Sequence, residues 1–273
     1  MLESIVQGAL QGALFGAIGG AFGTLVVWAI EKVAKRKPKW TAILPIICAV
    51  GAVFLERYLR ADPHEAVLVE LDKLPTVSAL KIHYPEDYAK LGAILNSMPS
   101  GASAIDVQNS TRPIISKVVE RQMPKASAEN AFDVLQLAHD ESLALRSVSP
   151  AACVALASGG APQVDLASAF GPDLMKRDFD VTARTLVQTA VDAQAPAKPL
   201  DESVASEIAL AGLNAMSEAD RNLAVPLLQA SKPPVSEAEN VALCNFYLAS
   251  FKTLLSEPNA VAGQKIRSLL ATK

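Results

Sequence analysis

Aromatic side chains are scarce in this sequence: eight Phe, four Tyr and two Trp among 273 residues, while alanine, leucine and valine carry most of the 51% apolar share. Sheets lean on aromatic residues and on β-branched residues in period-two alternation; aromatics are scarce and such alternations few here, so the composition points to an all-α fold. Histidine is rarer still, with His64, His83 and His139 the whole set. The three cysteines, Cys48, Cys153 and Cys244, form no C-x-x-C pair, which excludes the dithiol redox and zinc-ribbon patterns. G-x-S-x-G, H-E-x-x-H, P-loop and G-x-G-x-x-G patterns are all missing, so no catalytic residue and no cofactor is expected.

Charge is absent from one long run. Ile5 to Ile30 contains no Asp, Glu, Lys or Arg over 26 residues, about 39 Å as a helix against the ~30 Å hydrocarbon core of a bilayer. Inside it Gly8, Gly12, Gly16 and Gly20 recur at every fourth position, and Gly19 with Gly23 makes a second pair at that interval. Such a stripe opens a backbone groove that lets two membrane helices approach closely, where lipid supplies little hydrophobic drive for association. The spacing therefore predicts glycine-zipper packing, either on the second span of the same chain or on another copy.

Residues 31–40 then bring Lys32, Lys35, Arg36, Lys37 and Lys39, with Pro38 interrupting any continuous helix. A second apolar stretch from Trp40 extends to about residue 59, with Glu56 and Arg57 reaching the interface. The expected N-terminal unit, residues 1–60, is thus a two-helix transmembrane hairpin with spans at about 5–30 and 40–59. Trp28 and Trp40 flank its basic turn as an interfacial belt. Five cations in the turn outnumber the three within twenty residues after Leu55, which places the turn in the cytoplasm. Both termini and the main domain are then periplasmic, in a multi-pass protein of a bacterial-type inner membrane.

The remainder, residues 61–273, reads as one multi-helix soluble domain with a formal charge of −7. That balance argues against nucleic acid and leaves the lipid bilayer, a second copy or another membrane subunit as partners. Helices are expected over 63–74, from Pro85 to Met98, and from Ser110 and Pro113 to Met123. Others follow the caps at Ser127, Ser149, Gly171-Pro172, Asp201 and Ser217, the Ser236–Glu239 capping box, and Pro258. The segment 195–200, APAKPL, is the best internal linker. In an oxidising compartment Cys153 and Cys244 are the candidate disulfide, closing a loop of about 90 residues; two buried free thiols are the alternative.

One metal-binding pattern is worth stating. His83, the His139-Asp140 dipeptide and Asp192 follow the order of the H…HD…D set of helical phosphohydrolases, which they resemble in outline only. A hydrogen-bonded core histidine is the preferred account of His139, four residues from Leu135 and from Leu143. The sequence thus favours a membrane-anchored helical interaction or scaffold subunit that assembles through its glycine-zipper helix. The alternatives are a membrane-tethered HD-type metal hydrolase and a pore-forming oligomer in which Gln7 and Gln11 supply the polar lining.

Overall fold

The computed structural model describes residues 71–99, 102–160 and 162–271. The glycine stripe, the basic turn and both expected spans lie outside the described residues. Those described form ten α-helices and no strand: α1 (Pro75–His83), α2 (Pro85–Ser97), α3 (Ala104–Gln122), α4 (Ala128–Val148), α5 (Pro150–Ala157), α6 (Leu166–Val191), α7 (Glu202–Ala215), α8 (Glu218–Ala230), α9 (Glu237–Leu255) and α10 (Asn259–Leu269). A single 3₁₀ turn, Met123–Lys125, separates α3 from α4. The all-α expectation therefore holds for this part of the chain. No helix among the described residues is long and apolar enough to cross a membrane.

Caps fix most of the boundaries. Ser127, Ser149 and Ser217 each accept a hydrogen bond from a backbone N–H three residues on. Ser236 accepts from the Glu239 N–H at 3.2 Å while the Glu239 carboxylate accepts from the Ser236 N–H at 2.9 Å, closing both halves of the capping box. Proline opens α1, α2 and α5, where its missing N–H costs nothing.

Three stretches differ from the sequence expectation, α1 being the first: it covers Pro75–His83, past the helix expected over 63–74, with Pro75 opening its first turn and the helix packing on α6. Helix α3 begins at Ala104, not near Ser110, because Ser103 and Asp106 form a second capping box, and it continues through Pro113. Helix α6 begins five residues before Gly171-Pro172, capped by Asp165. The Gly-Pro pair makes a kink inside it, with Gly171 at φ +70°, a conformation that side chains disfavour.

Helices α4 and α9 occupy the centre. Helix α4 packs against α5, α6, α9 and α10, and α9 against α4, α5, α7 and α8. The two have buried residues around most of their circumference, Phe246 and Phe251 of α9 being fully enclosed. On α4 Leu135, Leu137, Ala138 and Leu145 are fully buried, whereas Leu143 is 48% exposed. The α1–α2–α3 side joins through α6, and the buried side chains form one contiguous cluster. At one contact no side chain fits: a Cβ on Gly263 of α10 would stand 1.8 Å from the Ala128 carbonyl oxygen at the start of α4.

The 195–200 segment is not a spacer between domains. It is extended and strapped to the fold: Gln194 N–H donates to the Lys125 carbonyl, Ala197 N–H to that of Pro124 and Leu200 N–H to that of Ser268, each at 2.9 Å. Arg267 reinforces it by donating to the Pro124 and Ala195 carbonyls at 3.1 and 2.8 Å.

Candidate functional site

The structure brings together one of the residue pairs singled out in the sequence. Cys153 of α5 and Cys244 of α9, both fully buried, have their sulfurs 2.04 Å apart, at disulfide distance. The link joins the middle of the chain to the helix that the C-terminal elements pack around.

The H…HD…D set is not gathered. His83 ends α1 beside Ile82 and Arg184, His139 faces a different groove on α4, and Asp192 is the exposed C-cap of α6. Among the described residues no three His, Cys, Asp or Glu side chains are grouped to hold a metal ion. His139 is part-buried and hydrogen-bonds through Nδ1 to Asp140 Oδ1 at 3.0 Å, and Arg177 donates to the other oxygen of Asp140 at 2.6 Å. Burial pushes the Asp140 carboxyl up, but the hydrogen bonds from His139 and Arg177 outweigh it and hold the group below its usual range. Next to His83, Tyr84 packs on α6, donating to the Leu186 carbonyl at 3.1 Å with Thr189 Oγ1 3.0 Å away.

The structure also assembles a cluster that sequence reasoning missed. Arg112 of α3, Glu141 of α4 and Asp178 of α6 meet inside the protein, with Arg112 3% exposed, Glu141 fully buried and Asp178 2% exposed. Arg112 donates to the Gly160 carbonyl and, at 3.3 Å, to that of Leu156, so its guanidinium serves the open carbonyls at the end of α5. Gln108, one turn earlier, donates to the Pro162 and Val164 carbonyls at 3.4 and 3.3 Å and accepts from the Leu166 N–H. Together the two side chains hold the α5–α6 connection against α3.

The carboxyls complete the charge balance. Burial, then the neighbouring Asp178, push Glu141 well above the ordinary carboxyl range, against the pull of Arg112. Burial also raises Asp178, although Thr182, whose hydroxyl donates at 3.3 Å, Glu141 and Arg112 favour its charged form. No neighbouring N–H or hydroxyl donates to the Glu141 oxygens. The consistent arrangement is a Glu141 that keeps its proton and donates to Asp178, leaving one carboxylate opposite one guanidinium and a neutral interior. Burial pulls the Arg112 guanidinium down to about 10, against the raising influence of the two carboxyls. The cluster lies buried where α3, α4 and α6 meet.

Grooves open on the surface of the described residues, three of which bear on function. One, along α4 and α6, is charged and internally paired, with Arg184 against Asp133 and Lys176 against Asp180. A second, between α1 and α6, is mainly apolar around Ile82 and Val187. The third lies where α4, α9 and the α7–α8 junction meet, holds His139 and has a volume of about 590 Å³.

No family model matches the chain, and no curated protein and no solved structure matches it either.

Proposed function

We propose that this protein is a membrane-anchored interaction or scaffold subunit that assembles through its glycine-zipper helix and presents the helical domain outside the cytoplasm. The observation that carries the reading is the register of Gly8, Gly12, Gly16 and Gly20 within a charge-free run of 26 residues. Two features of the described domain support it. Cys153 and Cys244 at disulfide distance suit an oxidising compartment, and the ionic cluster is buried while the open grooves lie on the surface, where partners bind. The five cations of residues 31–40 set the orientation of the hairpin.

Replacing Gly12 and Gly16 with Leu fills the proposed groove. The variant should lose the crosslinked oligomers or co-extracted subunits that the parent gives in mild detergent. Unchanged assembly would remove the zipper reading. Accessibility of a cysteine introduced at Ser231, in the exposed α8–α9 connection, to a membrane-impermeant thiol reagent added from outside tests the topology; protection in intact inner-membrane spheroplasts would place the domain in the cytoplasm.

A further inference from the structure

One groove carries two cations, Arg146 and Lys252, against a single carboxylate, Asp220, among its lining residues. Leu143, Met216, Leu248 and Leu255 give the groove between α4, α9 and the α7–α8 junction its apolar surface, and Arg146 and Lys252 stand on its rim. Both cations are exposed, and neither forms an ion pair with another described residue. The carboxylate at the rim, Asp220, is engaged by the Asn245 side-chain amide at 2.9 Å. This local excess runs against a domain whose formal charge is −7. It also lies beside Leu143 of the central α4, a large apolar side chain that is 48% exposed.

An apolar floor with an unpaired cationic rim complements an apolar side chain next to a carboxylate. The groove is open, whereas a small amphiphile is retained by enclosure of most of its surface. A protein segment brings its own structure and can cover an open groove between helices, side chain by side chain. We propose that this groove docks an acidic segment of a partner protein, an apolar anchor seated against Leu143 and Leu248 and a carboxylate between Arg146 and Lys252. This rests on the interaction-subunit reading and names the chemistry of its partner.

The test uses the full chain in its native membrane, with a photocrosslinking benzoylphenylalanine placed at Leu143 and the adduct mapped by mass spectrometry. The expected adduct is a peptide of another protein with Asp or Glu within a few residues of the crosslinked apolar position. Its yield should fall about tenfold when Arg146→Glu and Lys252→Glu are combined, with helical content and the disulfide unchanged, and recover when the partner's acid is changed to Lys. No adduct, an adduct to lipid or to a second copy of this chain, or a yield indifferent to charge reversal would overturn the proposal. If the charge-reversed protein extracts with its complex intact and its crosslink yield at Leu143 is unchanged, the groove assignment fails and the interaction reading stands. If the parent protein yields no complex at all, both fail.

Discussion

Arg112, Glu141 and Asp178 show how one side chain can set the response of a protein to pH. In the unfolded chain Glu141 and Asp178 ionise near 4.5 and 3.8, while in the folded protein the pair holds a proton to higher pH. The folded state therefore binds more protons above the unfolded values, and stability is fullest below them and falls as pH rises until the folded pair ionises. Glu141→Gln keeps a donor for Asp178 without an ionisable proton. Denaturant midpoints at pH 5 and pH 8 should differ less in this variant than in the parent, and an unchanged difference would refute the shared proton. Arg112→Met removes the buried cation of the cluster and strands its carboxylate, at an expected cost of about 3–5 kcal/mol by the same measurement. The sequence made this cluster hard to see. Asp140-Glu141 reads as a solvated patch, yet adjacent helix positions point about 100° apart; Asp140 faces Arg177 while Glu141 shares the buried side of α4 with Leu137, Ala138 and Leu145. Spacing of Glu141 from those three residues was the available signal.

At the scale of the helix, local chemistry was legible where it was self-contained. The capping box at Ser236, the caps at Ser127, Ser149 and Ser217 and the prolines at first-turn positions act within one turn, so their letters are enough. Pro113 and Gly171-Pro172 misdirect for the converse reason: tertiary packing carries α3 and α6 through residues that break isolated helices. Ser127→Ala should cost about 1 kcal/mol, read from the shift in denaturant midpoint, because α4 loses the acceptor for the Asn130 N–H. Gly263→Ala should cost more, about 3 kcal/mol, since its methyl would collide with a backbone carbonyl that cannot rotate away. A neutral Gly263→Ala would show that α10 stands farther from α4 than described here.

Across the whole molecule, helical class and the cysteine pairing were readable from composition and from the scarcity of thiols, whereas the surface grooves depend on which helices become neighbours. The loop between Cys153 and Cys244 spans 91 positions, and closing it restricts the unfolded chain by about 4–5 kcal/mol in the loop-entropy model. Reduction should lower stability by an amount of that order, and Cys153→Ala with Cys244→Ala should reproduce the loss without reductant. Full thiol labelling of the native, unreduced protein would contradict the link.

The strapped segment at 195–200 adds a further property. It is a largely exposed, irregular stretch lying between the two linked cysteines in sequence, a place where a broad-specificity protease such as subtilisin can cut. A break there would yield a two-piece protein whose halves remain covalently joined through Cys153 and Cys244. Without reductant the nicked chain would migrate as one band, with two fragments appearing only when thiol is added. Helices α7 to α10 would then be held both by the disulfide and by the packing of α9 and α10 on α4, so that separating the two pieces would take denaturant together with thiol.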